Sequence, residues 1–153
     1  MSKAFTREDD ADQQSDLPER AIPPQPNLVT AEGLAQIDDA IARLTDELSA
    51  AKAAGDATTT ASAARDLRYW SARRASAQLT ESRPGSQVQF GSHVTIRRPD
   101  GSSRAYRIVG TDETNPKQGT LSYVSPLAQA LMGKAIGDTV VVGGREEEIV
   151  GIR

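Results

Sequence analysis

The 153-residue chain is 37% apolar and 4% aromatic, enough for one ordinary domain or two small ones but not for a large core. A formal charge of −3 argues against wrapping duplex nucleic acid, which needs a strongly basic surface, and the absence of cysteine excludes disulfides, thiolate metal sites and cysteine nucleophiles. No apolar run reaches the ~20 residues of a membrane span, and the charged start, Met1 to Asp12, lacks the hydrophobic core of a signal peptide, so a cytoplasmic protein with no membrane association is expected.

Residues 1–29 combine Glu8, Asp9, Asp10, Asp12 and Asp16 with Pro18, Pro23, Pro24 and Pro26 and offer little to bury. They are predicted to be a disordered acidic, proline-rich tail: a solvated leader, or a segment that meets a basic partner surface. From Thr30, Leu34, Ile37, Ile41, Leu44, Leu48 and Ala51 recur at steps of three and four, which is the apolar stripe of an amphipathic helix. Thr30 can cap it, Glu32 suits the positive end of its dipole, and Gly55-Asp56 ends it. A second helix is predicted from about Thr60 to Glu81, and the two fold back as an antiparallel hairpin over 30–82, about twenty residues an arm and roughly 30 Å long.

Past Arg83-Pro84-Gly85-Ser86 the periodicity changes to alternation. Val94 and Ile96 before Pro99-Asp100-Gly101, with Tyr106 and Ile108 after it, predict a β-hairpin. Leu121 to Val124 reads as a further strand, and Ser125-Pro126 opens a short helix through Leu127, Ala130 and Leu131. Gly137-Asp138 and Gly143-Gly144 are turns around a strand at Thr139 to Val142, with a last strand at Glu146 to Ile152. Residues 83–153 are therefore predicted to be a small sheet domain with one short helix, and the fold class is α+β.

Conventional catalytic constellations are missing: the chain has one histidine and no Ser/His/Asp set at an interpretable spacing. His93 reads as a surface or edge residue of a strand, since no second histidine can complete a metal site. Gly143-Gly144 precedes a strand and so is a hairpin turn, not a phosphate cradle. Arg65, Arg68, Arg73 and Arg74 lie on the second helix, where solvation and partner binding both remain open.

Tyr106-Arg107-Ile108-Val109-Gly110-Thr111-Asp112-Glu113, then Ser125-Pro126-Leu127-Ala128-Gln129-Ala130-Leu131-Met132-Gly133-Lys134 and Gly137-Asp138, resemble the C-terminal signature of the Gre transcript-cleavage and elongation factors. Leu28-Val29-Thr30-Ala31-Glu32-Gly33 resembles the start of that family's first coiled-coil helix, and Gly55-Asp56 falls at its hairpin tip. Met1-Ser2-Lys3-Ala4-Phe5 and the Asp100-Gly101 hairpin look closer to the GreB branch than to GreA. The resemblance implies an N-terminal antiparallel coiled coil joined to a domain shaped like FK506-binding proteins, acting as a monomer on bacterial RNA polymerase and touching nucleic acid only within the elongation complex. It further implies that the sheet domain docks at the rim of the secondary channel through the segment around Asp112, Glu113, Ser125, Pro126 and Leu127. The factor is no enzyme and has no cofactor of its own; acidic tip residues help hold a second Mg²⁺ shared with the polymerase, which then cleaves backtracked RNA at its own site.

At the tip this chain departs from the family's pattern Gly-Asp-x-x-Glu-Asn-x-Glu/Asp-Tyr. It reads Gly55-Asp56-Ala57-Thr58-Thr59-Thr60-Ala61-Ser62-Ala63, so Asp56 matches the first acid while Thr59 and Ser62 replace others. Asp56 is the single metal and catalytic candidate, with a turn or helix cap as its alternative role. The first arm is also about eight residues shorter than the resemblance implies, roughly 12 Å of reach at 1.5 Å per residue. The expectation is a channel-binding regulator whose cleavage stimulation is weakened or lost. Two alternatives are an active cleavage factor using Asp56 with a neighbour such as Asp66, and an adaptor for a protein other than the polymerase.

Overall fold

The computed structural model describes residues 17–153, and it divides into two compact units, residues 17–24 with 35–76 and residues 25–34 with 77–153. The α+β class, with a helical hairpin and a C-terminal sheet domain carrying one short helix, is as the sequence predicts.

In the first unit, helix α1 (Ala31–Ala54) turns directly into α2 (Ala57–Ser76). The expected stripe is the buried one: Ile37, Leu44 and Ala51 are 1%, 3% and 6% exposed, and a fully buried Ile or Leu contributes about 1.5–3 kcal/mol. From α2, Ala63 and Tyr69 are also buried. The arms run antiparallel, with Arg74 near the end of α2 bonded to Asp38 near the start of α1 at 2.7 Å. Arg73 is buried rather than solvated. The arms contain 24 and 20 residues, about 36 and 30 Å at 1.5 Å per residue.

Residues 1–16 of the expected tail lie outside the described residues. Beyond them, Glu19 takes Arg68 in a forked pair at 2.6 and 2.9 Å. Arg20 lies 3.9 Å over the Tyr69 ring and 3.5 Å from Asp66. These contacts rest on charge and a ring face, which a count of apolar residues does not register. Arg20→Ala is therefore expected to destabilise the hairpin by about 1 kcal/mol. Urea melting followed by Trp70 fluorescence checks this, and an unchanged midpoint would show that the strap is idle.

The second unit begins with β1 (Leu28–Val29), which pairs in parallel with β2 (Gln78–Leu79). The pair is closed by the Gln78 N–H on the Asn27 carbonyl at 2.8 Å and the Thr80 N–H on the Val29 carbonyl at 2.9 Å. This pairing takes Leu28 and Val29 out of the expected tail and ends α2 at Ser76 rather than near Glu81. Leu79, which falls inside the predicted second helix, is 54% exposed. The main sheet has the order β5-β4-β3-β7-β6, formed by β3 (His93–Arg97), β4 (Ser103–Val109), β5 (Thr120–Ser122), β6 (Thr139–Val142) and β7 (Arg145–Ile152). The predicted hairpin about Asp100-Gly101 joins β3 to β4, and Gly143-Gly144 joins β6 to β7. β5 pairs in parallel with β4. One face, holding Val94, Ile96, Ile108 and Ile149, forms the core with Ala128 and Leu131 of helix α3 (Pro126–Leu131).

Candidate functional site

At the tip, Gly55 takes the left-handed conformation with φ 68°. Its N–H bonds to the Lys52 carbonyl at 3.2 Å while the Asp56 N–H bonds to the Ala51 carbonyl at 3.0 Å. These two bonds are a Schellman stop for α1. Asp56 then starts α2, its Oδ1 accepting the Thr59 N–H at 3.0 Å, an N-cap bond from the third helical residue. One residue thus finishes the first arm and caps the second, which is why α2 begins at Ala57 and not near Thr60.

Hydrogen bonds from Thr59's side chain and then its N–H hold the Asp56 carboxyl below its ordinary pKa. With the folded value below the unfolded one, the cap's contribution is present above the unfolded pKa and is lost as pH falls through the folded one. Asp56→Ala is expected to fray the first turn of α2 at pH 7, whereas Asp56→Ser keeps it but removes the acid-side pH dependence; helicity at 222 nm against pH distinguishes them. Equal pH profiles for wild type and Asp56→Ser would refute this role.

These tip residues do not fit a resident Mg²⁺. Asp56 supplies one carboxylate, already engaged by Thr59, and a hard cation keeps its waters unless several oxygens converge. Asp66 is ten residues further along α2, about 15 Å of helix rise, in ion pairs with Arg20 and Arg65. Among the described residues no group of three or more His, Asp or Glu side chains is placed to hold a metal.

In the sheet domain the expected docking residues fall into two groups. Asp112 and Glu113 lie on a 3-10 turn (Thr111–Glu113) after β4. Glu113 reaches back: its Oε2 accepts the Gly110 N–H and the Thr30 N–H, each at 3.0 Å, and its Oε1 accepts the Thr30 hydroxyl. That Thr30 Oγ1 also accepts the Gly33 N–H at 3.0 Å, capping α1 as predicted. Two glycines let the parts close. A Cβ on Gly33 would stand 2.1 Å from Glu113 Cδ, and one on Gly110 would stand 2.4 Å from the Leu28 carbonyl oxygen. The segments 28–33 and 106–113 are thus halves of one clasp.

The second group is the start of α3. Ser125 is its N-cap, accepting the Ala128 N–H at 3.2 Å, Pro126 occupies the first turn and is exposed, and Leu127 packs against the core. Ser122 joins the two groups: its hydroxyl is 3.4 Å from that of Thr111, and its carbonyl accepts the Ser125 N–H at 2.9 Å. Sequence reading passed over Ser122, although a serine placed three residues before a Ser-Pro cap is a turn signal. It also missed the clasp's Thr30–Glu113 bond, which spans 83 positions and has no local signature.

The family described as Transcription elongation factor, GreA/GreB, C-term matches residues 83–152. Transcription elongation factor GreA of Methylobacterium sp. strain 4-46 is 45% identical over 74 residues, 45% of this chain and 47% of that protein, so the chain spans about half the length of this relative. GreA of Anaeromyxobacter sp. strain K is 33% identical over 144 residues, covering 78% of this chain and 86% of its own. Both bear the GreA name, where the chain's start and the Asp100-Gly101 hairpin pointed to GreB. Among solved structures, Gfh1 of Thermus thermophilus aligns at 19% identity with a TM-score of 0.41, over 84% of this chain and 99% of its own. With a relative one-third identical across most of its length, the chain belongs to the GreA/GreB family of transcription elongation factors.

Proposed function

We propose that this protein binds bacterial RNA polymerase at the secondary channel and regulates elongation there, with its own stimulation of RNA cleavage weakened or lost. It acts in the cytoplasm, as a monomer, through the polymerase's active site rather than as an enzyme itself. The observation that carries the reading is Asp56. It is the tip's one carboxylate in the position where the family pattern places several, and it caps α2 through Thr59. Thr58, Thr59 and Ser62 surround it on the chain and offer hydroxyls, which are weaker ligands for a hard cation than carboxylates. The Anaeromyxobacter alignment spans 144 residues, more than 78% of this chain supplies, as extra residues in the relative require. We place that difference in the hairpin arms, leaving the tip short of the reacting phosphate. The docking face is the pair of groups about Ser122: the Asp112–Glu113 turn and the exposed Pro126 end of α3.

Transcript cleavage on backtracked complexes, with polymerase binding measured in the same samples, tests the reading. Saturable binding with cleavage no faster than that of the polymerase alone is expected. Rapid cleavage that disappears in Asp56→Ala would overturn it in favour of a working tip, and no binding would point to a partner other than the polymerase.

A further inference from the structure

The face of the main sheet opposite the core carries an arrangement that the elongation-factor reading leaves unused. His93 begins β3 and stands directly opposite Arg107 on β4. On its other side His93 exchanges both backbone bonds with Arg153, at 2.6 and 2.8 Å, so the two are also a direct cross-strand pair. Arg107, His93 and Arg153 therefore form one row across three strands, spaced about 4.8 Å apart and pointing to the same face. A basic residue on a sheet face is ordinarily matched by an acid on the neighbouring strand. Two residues along the face, Arg97 is matched by Glu148 at 2.7 Å, which is the ordinary solution.

The adjoining row is Ala105, Thr95 and Gly151, three small residues that leave room beside the basic row. A depression of about 210 Å³ opens there, lined by all six of these residues except Gly151, together with Thr120 and others, and no Asp or Glu side chain lines it. Outside it, Glu32 reaches Arg107 at 3.1 Å, and the buried Arg107 Nε has no hydrogen-bond acceptor among the described residues.

We propose that this depression binds a phosphate-type oxyanion, held by the guanidinium forks of Arg107 and Arg153 and the ring of His93, with the Thr95 and Thr120 hydroxyls beside it. Arginine's planar donors match a phosphate's oxygens in pairs, and an anion seated between Arg107 and Arg153 gives both guanidiniums a common counter-charge. The phosphate is either a free small anion or one unit of a nucleic-acid strand. Burial, then Arg107 and Arg153, push the His93 pKa down, with Glu32 opposing. A bound anion adds negative charge beside all of these groups, so binding strengthens as pH falls and the His93 pKa rises on saturation.

The test is NMR of the labelled full chain, titrated in one arm with sodium phosphate and in the other with a short single-stranded RNA. Saturable shifts at His93, Arg107 and Arg153 are expected, with the His93 pKa raised on saturation. Arg153→Gln and His93→Gln should each weaken the response, while Arg104→Gln, outside the depression, should leave it intact. Binding of RNA roughly tenfold tighter than phosphate and falling with added salt assigns the site to a strand, whereas phosphate binding without that gain assigns it to a small anion. No saturable shift in either arm, or shifts unchanged in Arg153→Gln and His93→Gln, would overturn the proposal. Because polymerase plays no part in the experiment, its outcome is independent of the elongation reading.

Discussion

Gly110→Ala is expected to lower the stability of the sheet domain by about 3 kcal/mol or more, through overpacking and the loss of hydrogen bonds to a charged acceptor. The cause is not conformational, since Gly110 has φ −68° and ψ 161°, extended backbone open to any residue. It is steric: the added methyl would meet the Leu28 carbonyl oxygen at 2.4 Å and Glu113 Oε2 at 2.9 Å. A carbonyl in a paired strand cannot swing aside as a side chain can. Either β1 leaves its place or the Thr111–Glu113 turn does, and Thr30 loses its partner in both cases. Gly33→Ala first meets the Glu113 carboxylate, which can rotate away at the cost of the same hydrogen bonds, so a smaller loss is expected. Urea unfolding with amide exchange at Thr30 and Gly110 measures both. A Gly110→Ala protein as stable as wild type would mean that the clasp is not closed in solution.

Glu113→Ala is expected to cost about 2–4 kcal/mol, because the Thr30 N–H and hydroxyl and the Gly110 N–H lose one common acceptor. Glu113→Gln keeps the shape and one acceptor oxygen but no charge, and is expected to fall about midway. The pair separates two roles for this residue. If Glu113 is a clasp, weakened polymerase binding in Glu113→Ala should follow its stability and recover on cooling. If it contacts the polymerase directly, binding should fall in Glu113→Gln with the melting midpoint unmoved, which would contradict the clasp.

Much of the architecture was legible because it rests on local chemistry. Alternating apolar residues placed β3 and β4, the Gly137-Asp138 and Gly143-Gly144 turns bounded β6 and β7, Ser125-Pro126 announced α3, and Gly55 marked the tip through its left-handed turn. What stayed hidden depends on distant partners. Leu28-Val29 and Gln78-Leu79 are too short to show a period of their own, and each becomes a strand only against the other, fifty residues away. Glu19 and Arg20 sit in a stretch whose composition signals solvation, yet Arg68, Tyr69 and Asp66 give them complementary partners. Of the candidate site, Asp56 and Ser125 were recognisable as helix-start residues from their positions. Glu113, by contrast, was expected only as a docking residue, because nothing near it in sequence reveals that Thr30 is its hydrogen-bond partner.

The central claim, a Gre-family factor that occupies the secondary channel without driving cleavage, is tested most directly by competition. An authentic GreA is added to backtracked elongation complexes at a fixed, rate-limiting concentration, this protein is titrated in, and the rate of RNA cleavage is followed. The account predicts that cleavage falls saturably toward the rate of the polymerase alone. A rate that holds constant or rises as this protein is added would contradict it.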